Sequence, residues 1–238
     1  MVQLPPGLVE ARFLVRLNRF AALAALDGGE VPVHVANSGR LRELLQRGVR
    51  VLLAPRPGAA RRTPYDLALV DLDGTLVSAD ARLPSTLVAE ALAAGRLPPL
   101  AGYPTVRREV ALGESRLDLA LEGPTGRCYV EVKSVTLVQD GYGLFPDAPT
   151  LRGQRHVAEL ARAVAAGHRA AVVFVVQRGD AAAFRPHDAA DPAFGAALRR
   201  AAAAGVEVYA YRCAVTLRAV VLADPLPVCL EAGARAPS

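Results

Sequence analysis

Lysine is nearly absent from this chain of 238 residues: Lys133 is its only lysine, and the other 27 of its 28 basic residues are arginine. Tryptophan is missing and aromatic residues make up only 5%, which argues against a broad platform for stacking nucleic-acid bases. The cysteines, Cys128, Cys213 and Cys229, are odd in number and widely spaced, so they form neither a disulfide framework nor a zinc pattern. No apolar run approaches the roughly 20 residues of a membrane span. We therefore expect a cytoplasmic protein with reduced thiols and no membrane contact.

The charge balance indicates a polyanionic partner. The formal net charge is +5 and the sequence pI is about 9.5, which favours binding to DNA and possibly to RNA. Because aromatic side chains are scarce, we expect contacts mainly to the phosphate backbone, with low sequence specificity. The sequence leaves the oligomeric state open.

The chain divides into two regions of different texture. Residues 1–82 are rich in strand patterns, including one long strand over 12–26, with a short helix over 40–46. This element count fits a small barrel of the OB type, and a sandwich fits the pattern equally well. Residues 83–238 alternate helices with buried strands, which predicts an α/β (α+β) domain built on a mixed sheet.

Two turn signals set the expected register of three neighbouring strands in the second region. A turn over 123–126 would place Asp118 opposite Glu131, and a turn over 112–115 would place Glu109 opposite Asp118. Three carboxylates then fall in one row across adjacent strands, with Lys133 two residues along from Glu131.

Such a row has two interpretations, a metal-dependent catalytic site and an ordinary solvated sheet face. Like charges opposed across strands are destabilising, so three acids require a cation. Carboxylate oxygens suit Mg²⁺ or Mn²⁺, and water held by such an ion beside the Lys133 ammonium becomes a nucleophile for phosphodiester hydrolysis. The alternative is a solvated sheet face on which Glu131 pairs with Arg116, an arrangement that contributes little stability.

These residues resemble a known nuclease signature. Asp118 followed by Glu131-Val132-Lys133 is similar to the PD-(D/E)XK motif, although Leu117 stands where that motif begins with proline. The chain as a whole resembles the SfsA family, named for sugar fermentation stimulation. The stretches that carry the resemblance are Phe13–Phe20, His34–Arg40, Arg108–Val110, Ser115–Asp118, Tyr129–Leu137, Phe145–Ala148, Arg152–Gly153 with His156, and Glu159–Leu160.

The resemblance implies an N-terminal OB-like barrel, over 1–82, followed by a PD-(D/E)XK nuclease-like mixed-sheet domain, over 83–238. It also implies DNA binding and metal-dependent nuclease activity, with Asp118 and Glu131 as metal ligands. Lys133 would lie beside the attacking water, and Glu109 would be a supporting acid. Because the family was first regarded as regulating genes of sugar (maltose) metabolism, the alternative is a non-catalytic DNA-binding regulator.

Several further side chains are candidates for holding phosphates. Some lie in the barrel region around a loop over 37–39, and others lie at the start of a helix, where phosphate binding is favoured. The set is Arg16, Arg19, Asn37, Arg40, Arg152 and His156. The alternatives are ordinary surface arginines with an Asx turn at Asn37, and a core or capping role for His156.

A third function suggested by the sequence is phosphatase activity. Asp71-Leu-Asp-Gly-Thr75 follows an apolar strand and resembles the nucleophile strand of haloacid-dehalogenase-type phosphatases. The lysine that those enzymes also need is already placed beside Glu131. We therefore prefer the interpretation of Asp73-Gly74 as a hairpin turn.

Overall fold

The computed structural model describes residues 1–56, 58 and 63–231, within which lie sixteen strands and three α-helices. In chain order the first strands are β1 (Val2–Gln3), β2 (Val9–Asn18), β3 (Ala21–Leu26), β4 (Gly29–His34), β5 (Arg50–Pro55), β6 (Tyr65–Leu72) and β7 (Thr75–Ser78). They are followed by α1 (Leu83–Ala93), a 3₁₀ turn (Pro98–Leu100), β8 (Thr105–Leu112), β9 (Ser115–Gly123), β10 (Gly126–Val135), β11 (Leu137–Gln139) and β12 (Tyr142–Phe145). The remaining elements are α2 (Leu151–Ala165), β13 (Arg169–Val176), β14 (Ala183–Pro186), α3 (Pro192–Ala203), β15 (Glu207–Val215) and β16 (Ala219–Leu226).

Strands β2 to β6 close into a five-stranded barrel. Their sheet runs in the order β4-β3-β2-β5-β6-β7, and parallel pairing of β4 with β6, which sets Val33 opposite Tyr65, closes it. Buried side chains, among them Phe13, Leu53 and Val70, fill the interior. The closure confirms the predicted OB-like barrel and rules out the sandwich.

The predicted long strand over 12–26 is wrong, because the chain reverses in its middle. Strands β2 and β3 form an antiparallel hairpin that turns at Arg19 and Phe20. The Asn18 side-chain oxygen accepts the N–H of Phe20 at 2.9 Å, a local bond that stabilises the turn. No glycine or proline marks this turn, which is why the alternating pattern reads as continuous.

The predicted helix over 40–46 is reduced to a single turn. The N–H of Leu45 donates to the carbonyl of Leu41 at 2.9 Å, but Leu41 itself has a φ of +50°. A left-handed residue cannot belong to a right-handed helix. The N–H of Leu41 instead donates to Asp147 at 3.0 Å. Between Leu41 and Gly48, whose φ is +88°, there is room for one turn.

The hairpin interpretation of Asp73-Gly74 is confirmed. Strands β6 and β7 pair as far as Leu72 opposite Thr75, and both turn residues have positive φ, as a two-residue hairpin turn requires. Asp71 lies 2.6 Å from Arg50 and accepts the N–H of Gly74 at 2.8 Å. Its carboxylate is therefore part of the hairpin and not a presented nucleophile.

The second region is built on a seven-stranded mixed sheet. Its order is β1-β16-β15-β13-β10-β9-β8, with β10, β13 and β15 parallel at the centre and antiparallel strands toward both edges. Helices α2 and α3 cover one face through residues such as Leu160 and Leu198, and α1 covers the other through Leu87 and Val88. The buried central strands explain the continuous apolar runs in the sequence. The N-terminal β1 also belongs to this sheet, by pairing with β16.

The barrel is joined directly to the mixed sheet. On its outer face Leu52 and Leu69 pack with Val215 of β15. The N–H of Ser78 donates to the carbonyl of Gln177, just beyond β13, at 3.0 Å. These contacts bring the barrel loop over 37–41 close to the open end of β10. None of the three helices in the described part of the chain has the length and apolar character of a membrane span.

Candidate active site

A cavity of about 410 Å³ lies between the barrel loop over 37–41 and strand β10. The segment over 144–150, which connects β12 to α2, forms its other wall. Asp118, Glu131 and Lys133 all line this cavity. The structure thus brings together the aspartate, the glutamate and the lysine that the sequence singled out.

Glu131 and Lys133 are buried and in contact. Their residues are only 4% and 9% exposed, and the Lys133 Nζ lies 2.6 Å from Oε1 of Glu131. They stand two residues apart on β10, so both side chains leave the same face of the sheet. The same oxygen is hydrogen-bonded to Nδ1 of His156, which is buried on α2. Glu131 is therefore held from two sides through one oxygen.

Asp118 occupies the point where β9 and β10 separate. The two strands pair in the predicted register, from Gly123 opposite Gly126 to Leu119 opposite Val130. Beyond that pair, Oδ2 of Asp118 accepts the N–H of Val132 at 2.8 Å. The carboxylate takes the place of a backbone carbonyl at the end of the ladder. The expected direct opposition of Asp118 and Glu131 is replaced by this side-chain bond.

The two carboxylates have opposite pKa shifts. Burial raises the pKa of Asp118 to about 6, and the neighbouring charge of Glu131 adds to that rise. Burial also resists ionisation of Glu131, but the hydrogen bond to His156 and the Lys133 ammonium hold its pKa below the usual value. Near neutral pH Glu131 is thus firmly ionised, and Asp118 is the carboxylate that exchanges its proton more easily.

The hydrogen bonds of His156 define its tautomer. The Nε of Arg152 donates to Nε2 of His156 at 3.2 Å. Because a guanidinium can only donate, Nε2 must be the acceptor, and the ring proton lies on Nδ1. That proton is donated to Glu131. His156 therefore orients Glu131 from within α2, and Arg152, whose side chain also lines the cavity, orients His156.

The structure does not bring Glu109 into this group. Its side chain is 71% exposed and lies 3.1 Å from Arg116, and it does not line the cavity. The β8–β9 ladder has the predicted register, with Arg108 opposite Leu119 and Val110 opposite Leu117. Glu109 and Asp118 lie between these two pairs and are not themselves paired. A φ of +53° at Glu109 turns the residue out of the row.

The remaining carboxylates still suit a divalent cation. Oε2 of Glu131 is buried and has no hydrogen-bond partner in the described part of the chain, a costly condition that a cation would relieve. Within residues 1–56, 58 and 63–231, no three His, Cys, Asp or Glu side chains form a ready-made metal cluster. Mg²⁺ is commonly held by one or two carboxylates and keeps several waters. Asp118 and Glu131 fit that requirement.

Arg16 has a different role from the predicted phosphate contact. All five of its N–H groups are donated to backbone carbonyls of the β2–β3 turn and the loop over 37–41, namely those of Asn18, Arg19, Asn37, Gly39 and Arg40, at 2.5–3.1 Å. Since an arginine has five donors, none remains for a ligand. Arg16 positions the loop that forms one wall of the cavity.

Asn37 is likewise used to shape this loop. Its amide donates to the carbonyl of Ala79 at 3.1 Å, and its side-chain oxygen accepts the N–H of Gly39 at 2.9 Å. This is the Asx turn that the sequence suggested as the alternative. Arg19 and Arg40, in contrast, are exposed, and no carboxylate of the described residues pairs with either side chain.

Two features of the site were not predicted as functional residues. Asp147 lines the cavity and accepts the N–H of Leu41, and Arg42 lines a second cavity beside it together with Arg19 and Arg40. The only sequence signal for Asp147 was its place in the stretch Phe145–Ala148, which carries the family resemblance. Arg42 has no such signal, since it lies among many arginines.

The fold and the site define a two-domain protein in which an OB-like barrel is joined to a mixed α/β domain. Family models match both parts: the SfsA N-terminal OB domain over residues 14–79 and the Sugar fermentation stimulation protein RE domain over residues 82–219. The chain belongs to the SfsA family.

Relatives cover almost the whole chain. The Sugar fermentation stimulation protein homolog of Moorella thermoacetica is 50% identical over 96% of this chain and 99% of its own length. The homolog of Desulforamulus reducens is 46% identical over 94% of this chain and 93% of its own. The solved structure of Pyrococcus furiosus SfsA in complex with Ca²⁺ has a TM-score of 0.87 and 32% identity, covering 96% of this chain and 99% of that one.

Proposed function

We propose that this protein is a Mg²⁺- or Mn²⁺-dependent nuclease that hydrolyses phosphodiester bonds in DNA and possibly in RNA. The observation that carries the proposal is the convergence of Asp118, Glu131 and Lys133 on one cavity, where Oε2 of Glu131 is buried without a partner in the described residues. A carboxylate pair beside a single buried ammonium supplies both a cation site and a fixed positive charge for phosphate chemistry.

Each side chain has a distinct task in this proposal. Asp118 and Glu131 would hold the cation, which when bound supplies positive charge against the developing negative charge and makes water more acidic. Lys133 presents an ammonium in the same cavity, where it orients the attacking water and stabilises charge in the transition state. His156 keeps Glu131 in place and ionised. That the Pyrococcus furiosus relative was solved with Ca²⁺ supports a divalent-cation site in the family.

Non-catalytic DNA binding, as in a regulator of sugar (maltose) metabolism genes, is the second candidate. The cavity lined by Arg19, Arg40 and Arg42 favours it, because phosphate binding by arginine needs no metal. The two candidates differ in their metal requirement. A regulator shifts DNA in gels equally well in EDTA and cleaves it with no divalent ion.

The deciding experiment is a digestion panel of single-stranded and duplex DNA and RNA with Mg²⁺, with Mn²⁺ and with EDTA. The parent is compared with Lys133→Met, which keeps the length of the side chain but not its charge, and Lys133→Arg. We expect both variants to lose about 10²–10³-fold in rate, as when one preorganised charge donor is removed. Arginine does not rescue, because its planar guanidinium does not fit the place of a compact ammonium. Equal cleavage by the parent and Lys133→Met would remove the nuclease proposal.

A further inference from the structure

A second cavity of about 770 Å³ adjoins the one that holds Asp118, Glu131 and Lys133. Its volume falls in the range of pockets that hold drug-sized ligands, about 300–1,000 Å³, so it accepts more than a lone phosphate. The two cavities share the lining residues Ser38, Gly39, Ala148 and Pro149. The cavities are thus neighbours across one short divide.

The wall of the second cavity is strongly cationic. It contains Arg16, Arg19, Arg40 and Arg42, and no carboxylate of the described residues lines it. The N–H groups of the Arg16 guanidinium already donate to backbone carbonyls. The side chains of Arg19, Arg40 and Arg42 are exposed and have no hydrogen bond or ion pair within the residues that the structure describes.

The divide between the cavities is made of small side chains. Gly39 lies on this divide, and a Cβ there would lie 2.7 Å from Oδ2 of Asp147. That carboxylate accepts the N–H of Leu41 and lines the first cavity, not the second. The four residues that line both cavities therefore place no large side chain between them.

We propose that the cavity of Arg19, Arg40 and Arg42 is a subsite for phosphates flanking the scissile phosphate on the same nucleic-acid strand. The inference rests on the proposed nuclease function and adds the substrate class: a polynucleotide several phosphates long, in preference to a dinucleotide or a mononucleotide. Guanidinium groups suit this task because they bind phosphate oxygens in a planar, two-pronged manner. Arg16 acts there by positioning the loop and not by touching the substrate.

Binding is the first test, performed in EDTA so that no cleavage occurs. Anisotropy of a fluorescein-labelled single-stranded DNA decanucleotide is measured at several NaCl concentrations for the parent and for Arg40→Ala/Arg42→Ala. Losing two phosphate contacts should flatten the slope of log K against log salt by about 1.4, at roughly 0.7 per contact for single strands. The control Arg47→Ala/Arg200→Ala removes the same charge from exposed arginines outside both cavities and should keep the parent slope.

Cleavage with Mn²⁺ is the second test. In the parent, kcat/KM should rise from a dinucleotide to a decanucleotide, and in Arg40→Ala/Arg42→Ala most of that rise should be lost. The control double variant should keep it. Absence of cleavage by the parent with any ion would reject the nuclease function, and the salt slopes would still report on the arginine cavity.

Two results would overturn the subsite. One is an identical salt slope for the two double variants, which makes the effect a matter of net charge. The other is displacement of the decanucleotide by inorganic phosphate or AMP as effectively as by unlabelled polymer at the same phosphate concentration, in the parent but not in Arg40→Ala/Arg42→Ala. That result would make the cavity a site for a small anion.

Discussion

The N–H of Val132 lies 2.8 Å from Oδ2 of Asp118 and donates to it. This bond joins the Asp118 carboxylate of β9 to the backbone of β10 at the residue between Glu131 and Lys133. It also keeps Asp118 in a place where burial and the charge of Glu131 resist ionisation, so that its pKa rises to about 6. In the absence of a cation, ionised Asp118 therefore lowers the free energy of unfolding.

Replacing Asp118 should stabilise the protein without metal. The folded pKa of about 6 lies above the ordinary value of 3.8. The stability contributed by protonated Asp118 is therefore complete below pH 4 and is lost as the pH rises through 6. Asp118→Asn removes the charge and keeps an oxygen for Val132. The difference between these two pKa values corresponds to roughly 3 kcal/mol at most. We expect that gain at pH 8 in EDTA and almost none at pH 4.

Urea unfolding at the two pH values measures the difference. Asp180→Asn is a control of opposite sign, because the hydrogen bond from Arg178 lowers the pKa of Asp180 and its loss should reduce stability at pH 8. A destabilised Asp118→Asn protein at pH 8 would show that the Asp118 charge is already compensated.

Metal binding should be visible as thermal stabilisation. A ligand at 100 times its Kd adds about 2.7 kcal/mol to the free energy of unfolding. We expect Mn²⁺ to raise the Tm of the parent and to lose that effect in Glu131→Gln, which removes the charge at the buried oxygen. Glu109→Gln serves as the matched control, since Glu109 is exposed and paired with Arg116. A Mn²⁺ shift lost in both Glu109→Gln and Glu131→Gln would restore the three-acid row, and a shift kept in Glu131→Gln would remove Glu131 from the proposed cation site.

The behaviour of Glu109 marks the limit of reading a site from strand register. The turn signals predict both ladders correctly, as the pairs Leu119–Val130 and Val110–Leu117 demonstrate. Register fixes which residues are neighbours only while the strands stay regular. The positive φ at Glu109 is a backbone irregularity. Since no glycine or asparagine stands at that position to indicate it, an argument from strand register cannot predict it.

Arg16 exposes a second limit. Its side chain binds carbonyls of its own hairpin turn and of a loop more than twenty residues away. Nothing in the residue type separates an arginine that binds phosphate from one that binds carbonyls, because both uses need the same donors. The mixed sheet and the cluster of Asp118, Glu131 and Lys133 follow from local pattern, whereas the choice of an OB-like barrel over a sandwich came from the family resemblance. The two cavities depend on how the barrel packs against the mixed sheet, and local sequence pattern does not predict that packing.

Gly39 should be a tight point at the divide between the two cavities. A Cβ there would lie 2.7 Å from Asp147 Oδ2 and 3.0 Å from Asn37 Oδ1, so Gly39→Ala must displace the carboxylate that accepts from Leu41. Overpacking of this kind costs about 1–3 kcal/mol. Gly29→Ala is the control, because its Cβ would meet only the Leu26 carbonyl at 3.7 Å. Equal chemical-denaturation midpoints for the two variants would contradict this account.

Lysine should be unable to replace Arg16 in positioning the loop over 37–41. Arg16→Lys keeps the charge but leaves three donors at one point in place of five spread over a plane, so at least two of the five carbonyls lose their partner. Each lost bond costs on the order of 1 kcal/mol, and we expect a loss of about 1–3 kcal/mol in urea unfolding. Arg12→Lys is the matched control on the same strand. Among the residues that the structure describes, the Arg12 side chain makes one hydrogen bond, to the Gly48 carbonyl at 3.3 Å, so this variant should change stability little. If Arg16→Lys were as stable as Arg12→Lys, the five bonds would not hold the loop, and Arg16 would regain its place among the candidate phosphate contacts.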